Sequence, residues 1–166
     1  MLETAIIFSA KYLIYIEALA FCAFIFLARR RVRNRLLIIS VIALPLAYLL
    51  GKIASYFWYD TRPFVETGIA PLIAHAADNG FPSDHMLLGA TLASIVTLRN
   101  PRWGIVFWIG AVTIGTARMA AHIHHPIDIL ASAIIGAASA YIAFYFVVLR
   151  PMRSRKVAAR IGGDEV

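Results

Sequence analysis

The stretch Arg118-Met-Ala-Ala-His122-Ile-His124-His125-Pro126-Ile-Asp128 puts an arginine, three histidines and a carboxylate into eleven residues. Histidine can act as nucleophile or proton donor near neutral pH. Pro126 is a favoured first helical residue, and Asp128 follows His124 by four positions. A carboxylate one turn from an imidazole can hold its tautomer and stabilise the charged ring. Upstream, Phe81-Pro82-Ser83-Asp84-His85 reads as a helix start with Ser83 as its N-cap. Such a start offers free N–H groups and the positive dipole end to an anion. Earlier still come Lys52 and Arg62-Pro63, and a guanidinium is a planar fork that grips phosphate oxygens in bidentate fashion. The chemistry these types suit together is phosphoryl transfer.

The elements that must position them are membrane helices. Of the 166 residues, 61% are hydrophobic and 15% charged, against roughly 25% charged in soluble domains. A soluble domain of this length has no core large enough to hide that apolar surface. The expected fold is all-α: one membrane-embedded domain over 1–166, a polytopic bundle of about five spans. The spans run from about Ala5 to Ala28, Leu36 to Tyr59, Ser83 to Leu98 (short), Trp103 to Ala121, and Pro126 to Leu149. The runs are continuous and not alternating, which favours helices over a barrel. Cys22 sits alone in an apolar run and reads as a small buried hydrophobe.

The net charge of +7 is sorted by these spans. Arg29, Arg30, Arg31, Arg33 and Arg35 follow the first, Arg99 and Arg102 follow the third, and Arg150, Arg153, Arg155, Lys156 and Arg160 follow the fifth. Twelve of the 16 Lys and Arg residues thus share one side. The positive-inside rule makes that side cytoplasmic. The N-terminus is then outside, and a basic tail from about 150 to 166 is cytoplasmic. The basic runs read as topology signals and contacts with anionic membrane lipids, not as a nucleic-acid surface. Lys11, Lys52, Arg62 and Arg118 disobey the rule, and ionisable residues at membrane depth are functional candidates. The same alternation brings Lys52 to Arg62, Pro82 to His85 and Arg118 to Asp128 to one outer face.

In type, order and spacing these three segments resemble the type 2 phosphatidic acid phosphatases. That family belongs to the superfamily shared with bacterial acid phosphatases and vanadium haloperoxidases. The resemblance covers 52–128 and implies roles position by position. His124 would attack phosphorus to form a phosphohistidine, with Asp128 orienting it and His85 protonating the leaving oxygen. Lys52, Arg62, Pro63, Ser83, Asp84 and Arg118 would surround the phosphate. No metal and no cofactor is implied, and the outer loops show no tight carboxylate cluster suited to magnesium.

The chain also departs from the family pattern. Asp84 stands where glycine is typical, and capping the helix is its expected role. Ala117 replaces the serine before Arg118, and the gap from Lys52 to Arg62 is longer than usual. Both groups reach one phosphate only if the helix breaks near Asp60 and the chain folds back, or if Lys52 snorkels. His122 and His125 are expected to support His124 indirectly, and His75 to be solvated. Glu17 reads as interhelical glue, and Tyr56, Trp58 and Tyr59 as an outer aromatic belt. Ser132, Gly136 and Ala140 form a small-residue packing stripe.

The Phe-Pro-Ser-Asp-His form and the long gap resemble the family's bacterial undecaprenyl-diphosphatase members. The expectation is therefore a lipid phosphatase of the inner membrane, acting outside the cytoplasm on undecaprenyl diphosphate in cell-wall biogenesis. Phosphatidate, phosphatidylglycerophosphate and lipid A phosphate are alternative substrates, and a phosphotransferase is an alternative reaction. A non-enzymatic lipid transporter is the rival class. The oligomeric state stays open.

Overall fold

A computed structural model describes residues 1–151. The basic tail beyond Pro151, with Arg153, Arg155, Lys156 and Arg160, lies outside the described residues. The elements are α1 (Leu2–Lys11), α2 (Leu13–Phe26), α3 (Arg30–Phe57), α4 (Pro63–Thr67), α5 (Asp84–Arg99), α6 (Pro101–Ala120) and α7 (Pro126–Phe144). A π-helical turn, Tyr145–Leu149, continues α7. Among the described residues the only β pairing is an isolated bridge between Thr61 and Asn79.

The protein is an all-α membrane bundle. Among the described residues three helices are long and apolar enough to cross a bilayer: α3, α6 and α7 with its π turn. The first expected span is broken. α1 and α2 meet at 49° across Tyr12, and the pair makes a fourth span if counted as one. The third expected span forms α5, whose 16 residues rise only about 24 Å, short of the ~30 Å hydrocarbon layer. This helix is the bundle's centre: Met86, Leu87 and the run Gly89–Val96 are all buried. Protein covers its sides, so lipid thickness does not dictate its length.

Close approach to α5 needs small residues. The Ser132, Gly136, Ala140 stripe of α7 faces it as expected, and all three are buried. A β-carbon on Gly136 would lie 2.9 Å from Thr91 N, so only glycine fits there without a shift. Further along, Phe21, Ile39, Leu92, Val96, Phe107 and Ala140 join one apolar cluster. At that end a cavity is bordered by Arg29, Arg99 and Asn100, and a neighbouring one by Arg35 and Arg99. The first two basic clusters thus share the end of the bundle remote from α5's N-terminus.

Candidate active site

The C-terminal end of α3, the N-terminus of α5, the end of α6 and the start of α7 converge at the other end of the bundle. α3 stops at Phe57, and Trp58 is extended with φ −136°. The chain then folds back under the control of Asn79. Its Oδ1 accepts from the N–H groups of Asp60 and Phe81, at 2.9 Å each. Its Nδ2 donates to Ser55 O at 3.1 Å and Trp58 O at 2.9 Å. One half-buried side-chain amide therefore ties the α3 exit to the α5 entrance. The fold-back solves the long Lys52-to-Arg62 gap: both line one polar cavity of about 210 Å³, together with Ser55, His75, Asp84, His85, Arg118 and His124.

Each charged group is held from several sides. Arg62 is 5% exposed. Its Nη1 donates to Ile123 O at 2.8 Å, its Nη2 to Asn79 O at 3.2 Å and its Nε to Asp78 Oδ1 at 2.9 Å. Pro63 opens α4 at its first position. Arg118 Nη1 donates to Ala10 O at 3.2 Å, a carbonyl next to the break between α1 and α2. Its Nη2 lies 3.4 Å from His75 Nε2, and its buried Nε has no protein partner among the described residues. That leaves donor capacity on a side chain that lines the cavity.

His124 is 3% exposed and Asp128 fully buried. His124 Nδ1 donates to Asp128 Oδ2 at 3.1 Å, which leaves Nε2 as the ring's free acceptor. The same oxygen accepts the His125 backbone N–H at 2.9 Å. Ser132 Oγ is 2.6 Å from Asp128 O and 3.0 Å from Ser83 O, fastening the start of α7 to the start of α5. Burial pushes the His124 ring below the usual histidine range; the Asp128 hydrogen bond opposes this, while Arg118 and Arg62 add to it.

Three sequence expectations are corrected. Ser83 occupies the N-cap position of α5, but its side chain makes no capping bond and its Oγ is buried without a partner. Asp84 is not a cap either; it is an exposed first-turn residue that lines the cavity. The amide donors at the head of α5 are therefore not consumed by a side-chain cap, which suits an anion. His75 is also half-buried, not solvated: its ring centroid is 6.4 Å from that of His124. Burial first, then Arg62, lowers its basicity.

Four residues of the site were not visible as motifs: Asp60, His75, Asp78 and Asn79. They come from a loop without periodicity, and its folding alone brings them in. For Asp78, burial would raise the carboxyl, but the hydrogen bond and charge of Arg62 hold it below the usual range. Asp60 Oδ2 lies 2.8 Å from His125 Nδ1, and Glu66 Oε2 lies 3.4 Å from His125 Nε2. Burial raises the Asp60 carboxyl, His125 opposes that, and Asp128 adds to it. His125 thus braces Asp128 from outside the cavity. His122 takes a left-handed turn at φ 61° and gives its carbonyl to Phe64 N at 3.1 Å.

Contrary to the sequence expectation, carboxylates do gather near the site. Asp60, His125 and Asp128 each present a potential ligand atom within 4.8 Å of the others. Their short contacts are hydrogen bonds: Asp60 is engaged with His125, and Asp128 Oδ2 with two donors.

A helical bundle that gathers two arginines, a lysine, a helix N-terminus and a buried His–Asp pair around one polar pocket defines a multi-pass membrane protein of the phosphatase class. The chain belongs to the PAP2 superfamily, whose family model matches residues 36–151. It is 33% identical over 147 residues to the bacitracin transport permease protein BcrC of Bacillus licheniformis, covering 87% of this chain and 71% of that one. It is 28% identical over 152 residues to undecaprenyl-diphosphatase BcrC of Bacillus subtilis, covering 91% and 78%. Among solved structures it resembles Aquifex aeolicus LpxE, with TM-score 0.68, 21% identity and 84% of each chain covered. It also resembles a PAP2-type phosphatidylglycerolphosphate phosphatase of Bacillus subtilis, with TM-score 0.56, 20% identity and coverage of 86% and 73%.

Proposed function

We propose that this lipid phosphatase hydrolyses an isoprenoid diphosphate, undecaprenyl diphosphate, at the extracytoplasmic face through a phosphohistidine. The single observation that carries the reading is the pocket in which His124, braced by Asp128, shares about 210 Å³ with His85, Lys52, Arg62 and Arg118. The name undecaprenyl-diphosphatase borne by the Bacillus subtilis relative supports the substrate.

His124 Nε2 donates its lone pair to the terminal phosphorus as the bond to the bridging oxygen breaks. His85 gives a proton to that oxygen, so the lipid monophosphate leaves. Asp128 offsets the positive charge that the ring acquires. Water then attacks phosphorus, His85 takes the water's proton, and the P–N bond breaks to release inorganic phosphate. Arg62, Arg118, Lys52 and the N–H groups at the head of α5 meet the charge on the equatorial oxygens. These groups supply the charge stabilisation without a metal ion.

The whole chain acts as one membrane-embedded unit. With five crossings, α5 included, the basic end faces the cytoplasm and the N-terminus and pocket face outward. The permease name of the Bacillus licheniformis relative favours a transporter; against it, the buried arginines and histidines collect at one end of the bundle and do not line a path through it.

The test is phosphate release by purified protein in excess EDTA from undecaprenyl diphosphate, phosphatidate, phosphatidylglycerophosphate and lipid A. Release is expected from the isoprenoid diphosphate foremost, and sealed right-side-out vesicles should hydrolyse a short-chain diphosphate added outside. No release from any lipid favours the transporter, collapse in EDTA restored by magnesium refutes metal independence, and activity only in inverted vesicles refutes the outward face.

A further inference from the structure

Beneath the phosphate pocket, α3 and α5 enclose a second cavity of about 350 Å³, lined by Leu44, Ala47, Tyr48, Leu87, Leu88 and Thr91. The first cavity is walled by charged and polar groups, the second by hydrocarbon. Asp84 borders both. α3 ends at the site and α5 begins there, so Tyr48 lies one turn below Lys52, and Leu87 and Leu88 one turn below Asp84. The two helices nearly touch between the cavities: a β-carbon on Gly51 would lie 2.9 Å from Leu87 Cδ2. Tyr48 and Leu88 are 59% and 37% exposed, so the apolar cavity opens sideways toward the bilayer.

Lys52 joins the two. Its Nζ stands 5.1 Å from the centroid of the Tyr48 ring, within cation–π range. The ring that walls the apolar cavity also holds a cation of the phosphate pocket.

Resting on the lipid-phosphatase reading above, we propose that the groove between α3 and α5 receives the first stretch of the substrate's hydrocarbon tail, and that Tyr48 is a positioning and specificity-determining residue at its mouth. A molecule with a charged phosphate end and an apolar chain matches the change of lining at Asp84. The sideways opening lets the remaining chain stay in the hydrocarbon layer. Tail length and stiffness are then read by α3 and α5, while the phosphate is read by the loops and by α7.

The experiment compares a long-tailed isoprenoid diphosphate with a water-soluble short-chain phosphate. Filling the groove by Leu88→Trp or Leu44→Trp should raise KM for the long-tailed substrate tenfold or more and leave the short one within twofold. Tyr48→Ala should weaken both substrates by loosening Lys52, and Tyr48→Phe, which keeps the ring, should restore them. Equal effects of the tryptophans on both substrates, or none on either, overturn the proposal. A lipid phosphate carrying a benzophenone near the head of its tail gives a readout independent of turnover and of variant folding. In the wild-type protein it should label 44–51 or 84–91. Labelling elsewhere overturns the groove even in an active phosphatase, whereas labelling here in a protein inert toward every lipid phosphate refutes the activity alone.

Discussion

Asp128 and Glu17 are both carboxylates sealed from solvent, 0% and 5% exposed. Asp128 sits where α7 begins and accepts two hydrogen bonds on one oxygen. Glu17 sits inside α2, and neither of its oxygens has a protein partner among the described residues. The surroundings explain the contrast. A helix start leaves backbone N–H groups uncommitted, and the loop after α6 adds histidine donors. In mid-helix every neighbouring amide is already bonded along its own helix, so α5 and α6 offer Glu17 only space. That space is glycine: Glu17 Oε2 would lie 3.2 Å from a β-carbon on Gly89 and 3.5 Å from one on Gly110. Donors at the bundle's end make a buried charge usable, whereas the middle can only make room for one.

The largest effect belongs to the partnered end. His124→Ala should abolish turnover and any covalent phosphoenzyme trapped by alkaline quench with radiolabelled substrate. His85→Ala should cost about 10²–10⁴-fold, the usual worth of general acid–base help, and cost less for a diphosphate than for a lipid monoester, whose leaving group is poorer. Label retained on the His124→Ala protein would move the nucleophile to another side chain.

The brace on His124 has a sign that pH can read. Attack needs Nε2 unprotonated, so with the ring held below 6.5 the acid limb of kcat/KM should fall below the ordinary histidine pH. Asp128 raises the ring's basicity, and Arg62 lowers it. Asp128→Asn should therefore move the limb further down while cutting kcat by about 10²–10⁴-fold through a mis-set tautomer. Arg62→Gln should move it up. Shifts of the same sign in both variants would contradict this electrostatic account.

The same contrast decides what could be read before folding. Arg118, His124 and Asp128 stand within one local stretch, where the short loop entering α7 sets a first-turn carboxylate beside the imidazole just ahead of the N-cap. Lys52 and Arg62 needed the chain reversal that Asn79 builds, and Asp60, His75 and Asp78 enter through that loop with no period to announce them. The spans followed from apolar length, except where tertiary contact intervened. The run Ala5–Ala28 is continuous in sequence, yet breaks at Tyr12 beside the carbonyl that Arg118 engages. The small-residue stripe of α7 that packs on α5 was legible because small residues at period four report close helix packing wherever it occurs.

The smallest effect should come from the unpartnered acid. Removing one partner of a bonded polar pair leaves the other unsatisfied, but replacing a polar group that has no bond by an apolar one of similar size removes only a desolvation penalty, about 1–3 kcal/mol. Glu17→Met keeps most of the side-chain length between Gly89 and Gly110. It should leave kcat within twofold and hold or raise the melting temperature in detergent, whereas Asp128→Leu should destroy activity. Glu17→Gln keeps the volume and the polarity, so it should sit between Glu17→Met and the native chain in stability. Gly89 is one turn from His85 on α5, which gives the comparison its sharpest point of failure. If Glu17→Met melts like the native chain but loses turnover, the carboxyl serves the site through α5, and the division between a chemical end and a merely accommodating middle is wrong.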